Sequence, residues 1–432
     1  MNRCNQTYSS TLSLIGWQAV CLLSIFLSCL KVNSDDVQIS FWGMGAEGEA
    51  VEKLIPLFHQ NYPHINVKIQ MIPWTAAQEK LITAFASDNL PDVFQLGNTW
   101  IPQFVALKAL ENLDNWIAQS SSIKKQNYFE GIWETNIIEN SVYGIPWYID
   151  TRVLFYRTDI LKRAGLNRAP QTWDELYQVS KEIKRILNHP EKYAIYLPTN
   201  EWAPFIIFAL QNGATILTEN ESLGNFQSEE FAKAFDFLIR FHRDKLAPIG
   251  ISQVTNVYQA FADEYFSMYI SGPWNISEFK KWMTGELADC WMTAPLPGPD
   301  SNRPGLSLAG GSSLVISKKS THKKTAWIFI EFLSRPEIQL QFYQFINNLP
   351  AVKVAWEDSL LQHDPYMPAF FKQFHHVVST PKIPEWEQIA FSKVQQYAEI
   401  AARGNMSVPE ALKALDADVD RILEKRRWLM NK

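Results

Sequence analysis

From Val37 to Leu96 the chain alternates between two hydrophobic periods, and this alternation restricts the fold more than any other feature. Val37, Ile39 and Phe41 are apolar, and Gln38 and Ser40 between them are polar. That is the period of a strand, ending at Trp42. Gly43, Gly45 and Gly48 read as a loose connection. Val51, Leu54, Ile55, Phe58 and Tyr62 then recur at helical spacing until Pro63. Ile65, Val67, Ile69 and Met71 form a second strand pattern. Thr75 with Gln78 reads as a capping box opening a second helix, and Asp92–Leu96 reads as a third strand. Strand–helix–strand–helix–strand with short loops predicts a parallel α/β sheet. Right-handed crossovers place its loops on one edge, where open α/β sheets bind ligands.

At 432 residues the chain exceeds one ordinary core, so two lobes are expected. The formal net charge is −5 and no Lys/Arg block occurs, which excludes a phosphate-tracking nucleic-acid binder. Sixteen tryptophans in a mildly acidic chain favour an aromatic binding surface beside the usual core packing. The N-terminus reads as an export segment over residues 1–29: Arg3 precedes an apolar run from Leu14 to Leu30, and Asp35-Asp36 follow. Phe26-Leu27-Ser28-Cys29 fits a lipoprotein cleavage site except that Phe26 stands where leucine is usual. Lipidation at Cys29, plain cleavage nearby and an uncleaved anchor all stay open. Cys4, Cys21 and Cys29 lie in this segment, leaving Cys290 alone and no intramolecular disulfide in the mature chain. An exported fold without disulfides depends on a large core.

Val142–Gly165 reads as a passage between lobes. Tyr143-Gly144 makes a turn, and Ile145–Tyr148 is extended. Asp150 lies beside Arg152, and the apolar run Val153–Tyr156 leads into a short helix ending at Gly165. Further on, Thr172 with Glu175 caps a helix, and 201–212 and 229–243 are helical in pattern. Gly272–Asn275 is a sharp turn after the aromatic run 265–270. Pro295–Pro299 is a loop, and Gly310–Ser313 enters the strand Leu314–Ile316. Ser334 with Glu337, and Ser407 with Glu410, read as two more capping boxes.

Catalytic motifs are missing: the sequence has no GxSxG, Walker, HExxH or Cys/His metal spacing. His375-His376 are neighbours pointing about 100° apart on a helix, so no metal site and no cofactor are expected. No pair of acids marks itself as a glycosidase couple. The remaining candidates are polar and aromatic residues at strand ends and loops: Glu47, Asn98-Thr99-Trp100, Tyr148 with Asp150, Trp202, Trp274 and Gly310-Gly311. Carboxylates, amides and backbone N–H groups suit the hydroxyl edges of sugars, and aromatic rings suit their C–H faces. The plainer alternatives are core packing for each tryptophan, a helix-dipole acid for Glu47, and a strand-entry turn for the glycines. Trp327, on an apolar helical stripe, is assigned to the core.

These segments, in order, resemble extracellular solute-binding proteins of the sugar-binding type (family 1, which includes maltose- and trehalose-binding proteins). The matching residues are Leu90–Phe94, Tyr143–Pro146, Val153–Tyr156, Thr172–Leu176, Ser271–Trp274, Gly310–Leu314, Phe332–Ser334 and Leu349–Ala351. The resemblance implies a periplasmic-binding-protein-like α/β fold of two lobes, with a ligand held between them on hinge closure. The division it suggests is 37–146 plus 309–356 for one lobe and 147–308 plus 357–432 for the other. It implies a non-enzymatic, monomeric receptor that hands a small carbohydrate to an ABC-transporter permease. Glu47, Tyr148, Asp150, Trp274, Gly310 and Gly311 fall where the family contacts sugar, with Tyr148 and Asp150 facing the cleft from the second lobe. Asn98 and Trp202 complete the candidate set. Two departures stand out: Arg157 replaces the family's usual Asn, and Thr380 stands before Pro381 where a basic residue is common. The second points to a neutral glycoside. A glycerol-phosphate or polyol receptor, with Arg152 or Arg157 as the cation, and a secreted carbohydrate-active enzyme remain as alternatives.

Overall fold

The computed structural model describes residues 36–250 and 256–430. The export segment and Cys29 lie outside the described residues. The strands of the two principal sheets are, in chain order, β1 (Val37–Met44), β2 (Ile65–Ile72), β3 (Val93–Gly97), β4 (Ile145–Asp150), β5 (Val153–Arg157), β6 (Tyr193–Tyr196), β7 (Phe266–Ser271), β8 (Trp291–Ala294), β9 (Gly310–Ile316) and β10 (Leu349–Pro350). The first sheet has the order β10-β4-β9-β3-β1-β2, and the second β8-β5-β7-β6.

β1, β2 and β3 pair in parallel, as the alternating periods predict. The strands that join later run antiparallel: β9 on β3, β4 on β9 and β10 on β4. The first sheet is therefore mixed rather than parallel throughout. The Gly43–Gly48 stretch is not loose. β1 runs to Met44 and the helix Gly45–Asn61 begins at the next residue. A Cβ on Gly43 would come within 2.8 Å of the Gly48 Cα, so these glycines let strand and helix touch.

One of the predicted capping boxes forms in full, at Ser407 with Glu410, and Thr172 makes its half by accepting from Glu175 N while the Glu175 carboxylate accepts from Gln171 N instead. The other two do not. The helix Trp74–Ala86 starts after Pro73, and Gln78 turns to donate to Gln103. Ser334 bonds back to the Ile330 carbonyl and leaves Arg335 at the cap before Pro336. In both cases a proline, with φ already set for a helix entry, fixes the start without side-chain help.

One apolar cluster joins the lobes. Phe41, Phe58, Phe329 and Phe332 lie under the first sheet, and the same cluster continues through Phe129 and Phe374 to Phe155, Phe279 and Trp291 under the second. The helix Met367–Phe374 forms the joint: Phe374 meets Phe129 at 5.2 Å, and Phe370 meets Phe155 at 6.2 Å. A second cluster fills the other face of the second sheet, under the helices Trp173–Leu187, Glu229–Arg243 and Val408–Ile422. Trp327 is buried in the first cluster.

The chain leaves the first sheet later than the sequence suggests. β4 stays paired with β9 through Asp150, and with β10 at Tyr148 and Ile149. A boundary at 146/147 would cut this strand. The passage to the second sheet is Thr151-Arg152, pinned where Arg152 N donates to Ser307 Oγ and Ser307 Oγ donates to the Arg152 carbonyl. Tyr148 and Asp150 therefore belong to the first sheet, not to the second lobe. The sequence misplaces them because an apolar run interrupted by one acid looks the same on either side of a crossing.

Candidate functional site

Between the sheets lies a cleft of about 680 Å³, lined by Glu47, Asn98, Tyr148, Asp150, Trp202, Trp274, Gly310 and Gly311 together with residues the sequence reading left out. All eight candidates thus converge on one space, although they come from segments spread over more than 260 positions.

Glu47, in the first turn of the helix Gly45–Asn61, is buried and well partnered. Its Oε1 accepts from the Tyr148 hydroxyl (2.9 Å) and Asn348 Nδ2 (3.1 Å), and its Oε2 accepts from Trp74 Nε1 at 3.3 Å. The Tyr148 hydroxyl also accepts from Gln95 Nε2 (3.2 Å) and Ser312 Oγ (3.0 Å). Burial, reinforced by the Glu47 charge, pushes this phenol well above its ordinary range. The Glu47–Tyr148–Gln95–Ser312 network fixes the floor of the cleft. With its hydroxyl fully engaged, Tyr148 lends the cleft shape rather than a free hydrogen bond. Asn98 donates to the Ala309 carbonyl at 2.8 Å.

Asp150 ends β4 beside Gly310. A Cβ on Gly310 would meet Asp150 Oδ1 at 2.1 Å, so the glycine makes room for the carboxylate. Gly311 has a different reason to be glycine: its φ is +118°, and a Cβ would come within 2.3 Å of the Tyr148 carbonyl oxygen. Burial raises the Asp150 carboxyl, opposed by Arg152 and reinforced by Glu201. Arg152 Nη1 lies 3.1 Å from Asp150 Oδ1, and its Nη2 lies 3.9 Å from Glu201 Oε1.

Trp274 sits in the 3-10 turn Pro273–Asn275 and is 43% exposed. Its ring rests on Gly272, where a Cβ would come within 2.0 Å of the six-membered ring. Asn275 holds the turn by donating to Ser271 Oγ and the Gly272 carbonyl. Trp202 behaves otherwise. It is buried, edge-on to Trp386 and 5.6 Å from Phe391, so it backs the wall that Phe391 presents.

The sequence reading missed Trp74, Glu387 and Phe391. Trp74 lies 5.8 Å from Trp100, and the two form an aromatic corner on the first-lobe side. Phe391 is 54% exposed and lies in the π-helical turn Ile389–Val394. Its signal was available, since it is a large apolar residue off the stripe set by Ile389, Ala390 and Val394; such a wide turn displaces one side chain from the helical register. Glu387 rides beside the buried Trp386 of the second lobe but faces Thr99 and Trp100 of the first. Burial raises its carboxyl, against the favourable contacts of those two side chains, and its Oε1 is buried with no partner. Nothing local in the sequence distinguishes it from a solvated acid.

Arg157 is not in the cleft. It is 1% exposed, forks onto both Asp159 oxygens, and donates to the Phe261 and Ala262 carbonyls. A buried arginine so fully engaged braces β5 and is unavailable as a ligand cation. His375 packs edge-on against Phe129 and Phe371. Among the described residues no three His, Cys, Asp or Glu side chains converge as metal ligands, and no helix is long and apolar enough to cross a membrane.

Two α/β lobes, a chain that crosses between them more than once and a cleft lined from both sides define a ligand-capture protein of the hinge-closing class. Residues 43–340 match the family model of the bacterial extracellular solute-binding proteins, and the chain belongs to that family. It is 43% identical to the sugar-binding protein MalE of the phytopathogen Xanthomonas citri, with a TM-score of 0.88, covering 92% of this chain and 100% of that one. The GacH receptor of Streptomyces glaucescens shares the fold at 22% identity and a TM-score of 0.76, over 90% of this chain and 98% of its own. The diacetylchitobiose binding protein DasA of Streptomyces coelicolor is 23% identical over 376 residues, 84% of each chain. The family and these relatives are binding proteins.

Proposed function

We propose that this protein is the receptor of an ABC-type carbohydrate importer, capturing a small oligosaccharide or glycoside between its lobes and delivering it to a membrane permease. The observation that carries this reading is the exposed Trp274 ring on one wall of a cleft whose other walls hold Asp150, Glu47, Glu387 and the Trp74–Trp100 corner. Flat apolar faces beside buried acceptors suit the C–H faces and hydroxyl edges of a pyranose. The similarity to a sugar-binding protein at 43% identity supports the same class of ligand. Because the ligand touches both lobes, it binds the closed form better than the open form and so shifts the population toward closure.

A phosphorylated polyol fits the cleft poorly. Glu47, Asp150 and Glu387 outnumber the lone guanidinium of Arg152 on its walls, and Arg152 is already paired. We infer no catalysis: the protein binds and releases its ligand unchanged, and it does so as an exported monomer. Lipid attachment at Cys29 and plain signal cleavage are told apart by the mass of the mature N-terminal peptide.

Calorimetry against maltose, trehalose, sucrose, other glucosides and glycerol phosphate, with Trp274→Ala beside the wild type, tests the reading. Covering roughly 60–100 Å² of the ring, at about 25 cal/mol per Å², is worth about 1.5–2.5 kcal/mol, or about ten- to sixtyfold in affinity. Trp274→Ala is expected to lose that much while its melting transition stays in place. Unchanged affinity would reduce Trp274 to packing. Product formation from any of the sugars would replace the receptor reading with an enzyme.

A further inference from the structure

Arg152 engages two of the groups assigned to the sugar. Its guanidinium lies over the Trp274 ring, 4.7 Å from the centroid, and its Nη1 lies 3.1 Å from Asp150 Oδ1. Its backbone is clamped to Ser307 in both directions, so the Cα is fixed and only the side chain is free to move. Glu201, from the second lobe, lies 3.9 Å from the other terminal nitrogen, Nη2. The guanidinium imitates what the cleft is built to hold: a flat face against the indole and a hydrogen-bond donor toward the carboxylate.

We propose that Arg152 is an internal occupant of the sugar site, covering Trp274 and Asp150 in the free protein and swinging toward Glu201 when the ligand enters. This rests on the cleft being the sugar site. The chemistry is a straightforward exchange. The charge keeps a carboxylate partner throughout, because Glu201 stands ready when Asp150 turns to a sugar hydroxyl. The indole face and one Asp150 oxygen become available together, so a ligand with both an apolar face and an adjacent hydroxyl displaces the arginine. A simple polyol, with no ring face, gains the hydroxyl contact alone. Arg152 thereby sets a threshold that selects for pyranosides over linear polyols.

Two variants and one footprint decide the matter. Arg152→Ala is expected to lower the Kd for the best sugar of the panel by about two- to fivefold, the worth of an exposed cation–π contact. The same change in a Trp274→Ala background is expected to give no gain. Weaker or equal binding by Arg152→Ala, or a gain that persists without the indole, would overturn the proposal and make Arg152 an ordinary ligand contact or a remote support. Hydroxyl-radical footprinting of the sugar-free protein, read by mass spectrometry at Trp274, separates this inference from the receptor reading. Oxidation of Trp274 is expected to rise in Arg152→Ala, and an equal rate in both proteins would refute the contact whether or not any sugar binds. Failure of the wild type to bind any sugar would instead sink the receptor reading alone.

Discussion

Replacing Gly310 and Gly311 separately by alanine tests the geometry of the cleft floor, because the two glycines are required for different reasons. At Gly311 the obstacles are backbone: φ is +118°, the Tyr148 carbonyl oxygen would lie 2.3 Å from the new methyl, and the Ile149 Cα 2.8 Å. Neither neighbour is free to move, since β4 is held by β9 on one side and β10 on the other. The strained φ costs roughly 1–3 kcal/mol and the overpacking roughly as much again. Allowing for partial relief by a shared backbone shift, Gly311→Ala is expected to lose about 2–4 kcal/mol of stability. At Gly310 the nearest obstacle is the Asp150 carboxylate at 2.1 Å, the end of a side chain that can rotate away; the Asp150 carbonyl at 3.1 Å adds only a small shift. Gly310→Ala is therefore expected to lose about 1 kcal/mol of stability yet bind sugar about tenfold more weakly or worse, because Asp150 is pushed from its place. Urea denaturation gives the stabilities and calorimetry the affinities. Equal destabilisation by the two substitutions, or full sugar affinity in Gly310→Ala, would refute the distinction between a backbone and a side-chain obstacle.

The remaining predictions concern charge. The Glu387 carboxyl is raised by burial, so the folded protein holds this proton more tightly than the unfolded chain. The stability it contributes is present at pH below the unfolded value and is lost as pH rises through the folded one. Glu387→Gln is accordingly expected to raise the melting temperature at neutral pH, with the difference shrinking as pH falls toward 4; an equal difference at all pH values would exclude titration of Glu387 as the cause. His242 behaves in the opposite sense: buried, with Nδ1 3.0 Å from the Pro248 carbonyl, it is lowered to about 4. Its contribution is complete above pH 6.5 and is lost as pH falls toward 4, amounting to about 3 kcal/mol, and a His242→Gln protein is expected to show a flatter stability profile across that window. Arg157→Met is expected to destabilise the fold by roughly 3–5 kcal/mol, by leaving Asp159 without its fork and the Phe261 and Ala262 carbonyls without a donor. Sugar affinity, measured where the variant is still folded, should be unchanged, because Arg157 lies outside the cleft.

Much of the architecture was legible in the chain. The strand and helix periods of residues 37–96 sufficed for the parallel β1–β3 core, because side-chain alternation is dictated by local geometry. The turn at Gly272–Asn275 sufficed to put Trp274 in the open. Two capping boxes failed where a proline already set the helix entry, a competition the Ser/Thr–x–x–Glu/Gln spacing does not register.

What only the tertiary structure decided is who partners whom. Asp150 and Arg152 are neighbours in sequence, but that the same arginine covers an indole 122 positions away follows from the second lobe folding back over β4. Arg157 looked equally free to meet a ligand and is instead sealed at the end of β5, because its surroundings come from residues 261–264. Glu387 and Phe391 enter the site because the segment from Trp386 to Val394 runs along the cleft edge, Glu387 in its α-helical turn and Phe391 in the π-helical turn that follows. Local periodicity determines which face of an element is apolar, whereas the identity of a side chain's neighbours depends on contacts distant in sequence. The chain by itself therefore determined the class of fold and the residue types of the cleft, and the packing of the two lobes decided which of those groups stand free to meet a sugar.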